Sequence, residues 1–169
     1  MGLNMVRIAG SALIVAWLLT GICSPVWSIE VGDTLPDFTV QTFEGNRFSK
    51  ASVEGKAMLL VFWNTWCPDC MRELPKINRL AGQLGPKGLA VFAVNTAMND
   101  SETKARAYWN KSEYMFPSAF DRYFELGHVF GVRGVPTVFL VDSKGVVRYK
   151  NPRLPEDMEE RFRGLSGKE

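Results

Sequence analysis

The chain has few of the residues that bind metals or cross-link small scaffolds, with three cysteines and one histidine among 169 residues. A structural zinc site uses four cysteine, histidine or carboxylate ligands, and the lone His128 is better explained as a packed or surface residue. A chain of this length also buries enough apolar surface to fold without a disulfide framework. We therefore expect no metal site and no disulfide-stapled scaffold.

Strong net charge and cofactor motifs are missing as well. The formal net charge is only +2, which gives no indication of a nucleic-acid or polyanion partner. The sequence has no glycine-rich nicotinamide or flavin motif, so no bound cofactor is expected. Internal repeats and low-complexity tracts are also absent from the sequence. These features favour one globular domain that recognises something other than a polyanion.

Charge is almost absent from the first 28 residues, where Arg7 is the only charged side chain. An apolar stretch covers residues 8–22, and small residues precede a predicted cleavage point after Ser28. This pattern predicts a signal peptide over residues 1–28. The alternative is an uncleaved N-terminal anchor, because the uncharged stretch is about long enough to span a bilayer. Both alternatives place the domain of residues 29–169 outside the cytoplasm.

A pair of cysteines, Cys67 and Cys70, follows the apolar run 57–63 and begins a helix-capable segment. A thiol at a helix N-terminus is favoured as a thiolate by unpaired N–H groups and the helix dipole. Pro68 suits the first helical turn, where its missing N–H would have been unpaired anyway. A disulfide across two residues closes too short a loop to stabilise the fold much. Because Cys23 lies in the predicted leader, Cys67 and Cys70 are the two cysteines that remain in the predicted domain. The pair therefore indicates thiol–disulfide chemistry.

Apolar periodicity and turn residues predict a mixed α/β order along the chain. The predicted order is a β-hairpin, β, α, β, α, a short β, α, β, β and α. The segments are strands 38–41 and 47–48, strand 57–63, a helix from the cysteines to residue 84, strand 89–94, helix 101–109, strand 119–120, helix 123–130, strands 137–141 and 146–149, and a final amphipathic helix carrying Met158, Phe162 and Leu165. The middle β-α-β unit predicts a parallel, right-handed crossover, and the last strand pair predicts an antiparallel edge.

Two motifs then carry a family resemblance. Residues 62–70, Phe-Trp-Asn-Thr-Trp-Cys-Pro-Asp-Cys, resemble the active-site segment of the thioredoxin superfamily, and residues 131–142 resemble its cis-proline segment. Residues 32–38 and 70–75 are similar to the exported TlpA/ResA-like branch. The resemblance implies a thioredoxin-like α/β fold, with a central mixed β-sheet flanked by helices and an N-terminal β-hairpin extension.

The resemblance also implies roles for residues around the cysteine pair. Cys67 would be the exposed nucleophile that forms a mixed disulfide, and Cys70 the more buried thiol that resolves it. Pro136 would be the cis-proline that faces the pair, and the backbone of Val135 would hydrogen-bond substrate. Trp66 would shield the thiols and contact substrate, whereas the other nearby tryptophan, Trp63, is expected to serve packing.

Three further residues separate this chain from thioredoxin itself. Thioredoxin has a buried aspartate at the position that Val61 occupies here. This chain instead resembles the ResA-like branch, which has a glutamate three residues after the second cysteine, here Glu73. Partly desolvated near the thiols, Glu73 would serve as general acid or base. Asp69, between the cysteines with Pro68, would disfavour the Cys67 thiolate and so favour a reducing pair.

The predicted function is an exported thiol–disulfide oxidoreductase that reduces protein disulfides in the periplasm or its equivalent. Its partners would be disulfide-containing proteins, including those of cytochrome c maturation or metalloprotein assembly, and a membrane thiol transporter as electron donor. Thr137 stands where members dedicated to cytochrome c maturation commonly have Glu, which weakens the haem-specific role. A monomer is expected.

Two alternatives come from other functional classes. A peroxiredoxin-type peroxidase would share the opening Pro36-Asp37-Phe38. Such enzymes have a Thr-x-x-Cys motif, with the threonine three residues before the cysteine, but Thr65 lies only two residues before Cys67. A Cu(I) metallochaperone would use Cys67 and Cys70 as soft ligands, but a proline facing the pair would tend to block metal access.

Overall fold

The computed structural model describes residues 28–165, so the predicted leader and Cys23 lie outside the described residues apart from Ser28. Within this range the chain forms seven strands and four helices in the predicted order. They are β1 (Thr39–Gln41), β2 (Arg47–Ser49), β3 (Ala57–Trp63), α1 (Pro68–Leu84), β4 (Leu89–Asn95), α2 (Glu102–Ser112), β5 (Ser118–Phe120), α3 (Glu125–Val129), β6 (Thr137–Val141), β7 (Val147–Asn151) and α4 (Met158–Leu165). None of the helices in residues 28–165 is sufficiently long and apolar to span a bilayer.

A mixed five-stranded sheet in the order β5-β4-β3-β6-β7 forms the centre of the domain. β3 lies in the middle because all seven of its residues are apolar and buried, as a strand covered on both faces requires. It pairs in parallel with β4 and antiparallel with β6, and β7 closes one edge antiparallel to β6. The predicted crossover, antiparallel edge and thioredoxin-like fold class are therefore confirmed.

Alternate side chains of β3 point into two separate apolar clusters, one on each face of the sheet. Leu59, Val61 and Trp63 join the cluster that α1 and α4 cover. Leu60 and Phe62 join the other cluster, which the N-terminal extension and Phe130 cover. Since Val61 is fully buried among apolar residues, the cluster behind the cysteine pair has no carboxylate at that position.

The N-terminal extension is a separate two-stranded hairpin of β1 and β2, as predicted. Phe48 of β2 stacks on Phe92 of β4 with ring centroids 3.8 Å apart, which fixes the hairpin to the sheet. The segment before it adds backbone hydrogen bonds from Gly32 and Leu35 to the β6–β7 hairpin. The extension therefore packs as part of the domain.

The prediction of a helix over residues 123–130 was wrong in extent, because α3 covers only Glu125–Val129. Phe124 has a left-handed backbone with φ of 57°, which ends any helix before Glu125. The buried Asp121 carboxylate accepts the Gly127 N–H at 2.8 Å, so the chain turns before the helix starts. Burial raises the pKa of Asp121, although nearby backbone N–H groups oppose that shift.

Candidate functional site

The cysteine pair lies at the N-terminus of α1, directly after the central strand. Cys67 is the N-cap residue, and its Sγ accepts the N–H of Cys70 at 3.0 Å. Pro68 occupies the first helical position, as its ring geometry favours. The two sulfurs form a disulfide with the Cα atoms 5.2 Å apart. The strand–turn–helix sequence thus brings both thiols into bonding range at a helix N-terminus.

The prediction that Cys67 is exposed was wrong for this disulfide state. Cys67 is 3% exposed and Cys70 is fully buried. The order of burial agrees with Cys67 as the outer sulfur, but the turn residues and the cis-proline segment cover most of it. A substrate can therefore reach Cys67 only along a defined approach at the surface.

That approach is bordered by the segment before β6. The Val135–Pro136 peptide bond is cis, as the resemblance implied. The Val135 carbonyl oxygen lies 3.5 Å from Cys67 Sγ. Val135 is half-buried and Pro136 buried, so the segment contacts the pair and still exposes backbone at one side. The structure therefore brings Val135 and Pro136 together with the predicted pair Cys67 and Cys70.

An open groove of about 710 Å³ extends from this segment along the domain surface. Asp69 and Arg133 line it together with Val135 and Pro136, and the segment from Ser28 to Glu30 forms its far side. Lys150 holds that segment by donating to Ser28, Ile29 and Glu30. The Lys150 hydrogen bond also lowers the pKa of Glu30. The groove reaches the turn that carries the cysteine pair, since Asp69 on its wall lies between the two cysteines in the chain.

The two tryptophans near the pair differ in position. Trp66 is 50% exposed beside Cys67, and its Nε1–H donates to the Met98 carbonyl at 2.7 Å. Trp63 is fully buried, and its Nε1–H donates to Ser118 Oγ. The packing role expected for Trp63 agrees with this burial. Trp66 is placed where it can contact a substrate at the sulfur.

Glu73 lies one helical turn after Cys70 on the same buried face of α1. Its residue exposure is 5%, so it is not a solvated charge on the helix surface. One carboxylate oxygen accepts from Lys76 Nζ at 2.8 Å and the other from the Leu154 N–H at 3.1 Å. Glu73 is therefore a buried carboxylate one turn from Cys70, and its partners hold it in place.

Asp69, by contrast, is an exposed carboxylate. Its side chain is 57% exposed and forms an ion pair with Arg72 one turn further along α1. This pair reduces the field that Asp69 alone would exert on Cys67. Pro68 is also exposed. The structure therefore keeps both predicted redox-tuning residues at the surface between the cysteines, with a cation that sequence reasoning had not considered.

A polar network behind the active-site turn was missed by the sequence analysis. The Asp100 carboxylate accepts the Thr65 N–H at 2.7 Å, Thr65 Oγ1–H at 2.8 Å and Asn95 Nδ2–H at 2.8 Å. Burial alone would disfavour the ionised form, but these hydrogen bonds outweigh it and lower the pKa of Asp100. Nothing in the sequence pattern around Asp100 indicated this contact, and Ser101 is the N-cap of α2.

No group of three or more histidine, cysteine or carboxylate residues could hold a metal ion within residues 28–165. His128 is exposed and packs edge-on against Phe124.

Known proteins are similar to this chain over most of the residues that form the fold and the site. The model of the AhpC/TSA family matches residues 31–150. Thiol-disulfide oxidoreductase ResA of Bacillus cereus is 29% identical over 151 residues, 88% of this chain and 86% of the relative. Thioredoxin-like protein YneN of Bacillus subtilis is 36% identical over 121 residues, 71% of this chain and 70% of the relative. A crystal structure from Chlorobium tepidum, provisionally named thiol:disulfide interchange protein DsbE, has a TM-score of 0.74 at 28% identity, covering 83% of this chain and 100% of that one.

Proposed function

This chain belongs to the AhpC/TSA family, and we propose that it is a thiol–disulfide oxidoreductase that reduces disulfides in protein substrates. The observation that carries the proposal is the cysteine pair at the start of α1, with Cys67 Sγ 3.5 Å from the Val135 carbonyl. This places the reactive sulfur beside a backbone segment that an extended peptide can join. Relatives that match most of this chain are named thiol-disulfide oxidoreductases.

The reaction consists of two thiol–disulfide exchanges. The Cys67 thiolate attacks one sulfur of the substrate disulfide, which forms a mixed disulfide and releases the other substrate sulfur as a thiolate. Cys70, once deprotonated, attacks Cys67 Sγ, and the second substrate sulfur leaves. Two electrons pass to the substrate, the two released thiolates take up protons, and the protein ends as the Cys67–Cys70 disulfide.

Glu73 is the proposed proton acceptor for Cys70 in the second exchange. Its burial one turn from Cys70 supports this role, because a group outside water can exchange a proton with a buried thiol. Lys76 Nζ and the Leu154 N–H each donate to one oxygen of Glu73, so the carboxylate is held in a fixed position near Cys70. The Val61 position, the alternative site for an acceptor, holds only a buried aliphatic side chain.

The two other functional classes are not favoured. A peroxidase of the Thr-x-x-Cys type would need a threonine hydroxyl near the reactive sulfur, but Thr65 Oγ1–H donates to Asp100. A copper chaperone would need a metal to reach both sulfurs, but Cys70 is fully buried and the cis-proline segment lies against Cys67.

We further propose that the protein works outside the cytoplasm and receives electrons from a membrane thiol transporter. The apolar first 28 residues, with their single charge, support export or anchoring. An external dithiol donor is needed because the reduced pair is consumed in each cycle. Thr137, whose hydroxyl donates to the Gly134 carbonyl, stands at the position where Glu would favour cytochrome c maturation. The proposed substrates are therefore protein disulfides as a class, with cytochrome c and metalloprotein precursors among them.

The reduction potential of the pair tests the direction of the reaction. We expect a value near that of thioredoxin, about −270 mV, measured by tryptophan fluorescence in dithiothreitol mixtures. A value near that of a strong oxidant, about −120 mV, would overturn the proposal that the protein reduces its substrates. Asp69→Asn serves as the tuning control, because loss of the carboxylate should make the pair less reducing.

A further inference from the structure

Two successive residues of the active-site turn, Thr65 and Trp66, are tied to the loop that follows β4. Thr65 donates both its N–H and its Oγ1–H to the Asp100 carboxylate. Trp66 donates its indole N–H to the Met98 carbonyl of the same loop. Cys67 comes next, and its N–H closes the turn on the Asn64 carbonyl at 3.3 Å. The position of Cys67 is thus set through bonds that converge on residues 98–100.

The same carboxylate is braced from below by buried amides. Asn95 donates to Asp100 Oδ2 at 2.8 Å, and Asn64 donates to Asn95 Oδ1 at 3.2 Å. Thr96 Oγ1–H donates to Asn64 Oδ1 at 2.6 Å. Asn64, Asn95 and Thr96 are fully buried, so the bonds among these three residues are shielded from water. The network connects the ends of β3 and β4 into one rigid support.

The donors around Asp100 require an acceptor on both of its oxygens. Oδ1 accepts from Thr65 Oγ1 and the Ser101 N–H, and Oδ2 accepts from the Thr65 N–H and Asn95. An asparagine at position 100 would direct an amide N–H₂ at one of these donor groups. The site therefore selects a carboxylate, and a change of one atom disrupts it while keeping the side-chain shape.

We propose that Asp100 is a positioning residue for thiol–disulfide exchange, which holds the Thr65–Cys67 turn so that Cys67 Sγ faces the Val135 carbonyl along the substrate groove. The proposal rests on the proposed function, since it concerns how a protein substrate meets the sulfur. A peptide that pairs with the Val135 backbone must find Cys67 at a fixed distance. A small disulfide binds no groove and tolerates a looser turn. Loss of Asp100 should therefore affect protein substrates far more than small ones.

The test compares the full chain with Asp100→Asn in the dithiothreitol-driven reduction of insulin and in the reaction of the reduced pair with a small aromatic disulfide. We expect kcat/KM for insulin to fall about tenfold, as for loss of one hydrogen bond to a charged group, and the small-disulfide rate to change less than about twofold. Asp142→Asn is the matched control and should leave both rates unchanged. Equal losses for both substrates, or equal behaviour of the two variants, would overturn the proposal.

Isosteric variants of the partner residue test the contact itself. Thr65→Ser keeps the hydroxyl donor and should behave as the wild type, whereas Thr65→Val should lose insulin turnover as Asp100→Asn does. The double variant Asp100→Asn with Thr65→Val should be no worse than Asp100→Asn alone, because both remove one interaction. Additive losses would contradict the proposal.

A spectroscopic readout keeps this test separate from the proposed function. In Asp100→Asn the emission of Trp66 should shift to longer wavelength as its hold on Met98 loosens, and the shift should vanish in a Trp66→Phe background. Wild-type protein without insulin turnover would refute the proposed function and leave this shift to decide the role of Asp100. Turnover with an unchanged emission spectrum and unchanged kcat/KM would refute the positioning role alone.

Discussion

A hydrogen-bonded aspartate lies at each of two opposite edges of the central sheet, where strands end and loops begin, and the two aspartates connect different parts of the chain. At the edge where β3 and β4 finish, Asp100 organises the loops around the cysteine pair. At the opposite edge, where β6 finishes, Asp142 organises the turn to β7 by accepting the N–H groups of Lys144 and Val146, each at 2.9 Å. In both cases burial opposes ionisation, but the hydrogen bonds prevail and lower the pKa of the aspartate.

The two aspartates differ in how far along the chain their hydrogen-bond partners lie. Asp142 binds residues within six positions of itself, including Arg148 at 2.7 Å, so it stabilises one hairpin. Asp100 reaches Thr65, 35 positions earlier, and thereby helps to join the loop after β3 to the loop after β4. The opposite edge does hold a cavity of about 320 Å³ beside Asp142, but its lining contains no cysteine. An ionised aspartate thus serves stability or function according to what it connects.

The largest effect expected in this comparison comes from the cysteines of the active edge. Cys67→Ser should abolish insulin reduction, because no other residue supplies the attacking thiolate. Cys70→Ala should instead trap mixed disulfides with protein substrates, since the resolving thiol is gone. Non-reducing electrophoresis of a cell extract that contains the variant would reveal the trapped species. Trapping by Cys67→Ser and not by Cys70→Ala would reverse the assigned roles.

The next largest effect on activity, after the cysteine variants, is expected at Glu73 on the same edge. Glu73→Gln keeps an acceptor for the Leu154 N–H but cannot take a proton, so resolution by Cys70 should slow by on the order of 10². The measurement is the pH dependence of mixed-disulfide resolution, with the pH profile of Cys67 alkylation beside it. Glu159→Gln, the same change at an exposed carboxylate of α4, is the control and should leave resolution unchanged. Identical profiles in the wild type and in Glu73→Gln would exclude the proton-transfer role.

The smallest effect on activity is expected at the opposite edge. Asp142→Asn should leave turnover unchanged and lower the free energy of unfolding by about 1–3 kcal/mol, the range for a hydrogen bond to a charged group. Since the folded pKa of Asp142 is lowered, its contribution is complete above the ordinary pKa of about 3.9 and is lost as pH falls further. Urea unfolding at pH 7 and near pH 3 measures this difference.

The matched control for this prediction is Asp157→Asn. Asp157 is an exposed carboxylate that pairs with Arg161 four positions later, and such pairs add little stability. It should unfold as the wild type does at both pH values. A loss of turnover in Asp142→Asn would break the proposed contrast between the two edges.

Most of the fold could be predicted because its signals are local. The apolar run of β3 was found to the residue, and the hairpin extension followed from alternation around residues 44–46. The α1 face that carries Leu74, Ile77 and Leu84 is buried as its period indicated. The helix at residues 123–130 failed because the left-handed turn at Phe124 and the Asp121 contact override a helical pattern.

The candidate site was predicted less completely. Spacing alone indicated the pair Cys67 and Cys70, and the resemblance indicated the cis bond at Pro136. Neither could give the low exposure of Cys67, because the atoms that cover it come from segments far along the chain. The Asn-Asp-Ser segment at residues 99–101 gave no signal for a contact with the active-site turn, and only packing revealed that Asp100 bonds it.

The sequence by itself determined the reactive groups and the order of strands and helices, since both depend on residues a few positions apart. Tertiary structure decided which groups act on the pair. Glu73 meets the Leu154 N–H across 81 positions, and Asp100 meets Thr65 across 35. Such contacts exist only once strands β3, β4 and β7 have aligned their ends, because that alignment brings distant loops within hydrogen-bond distance.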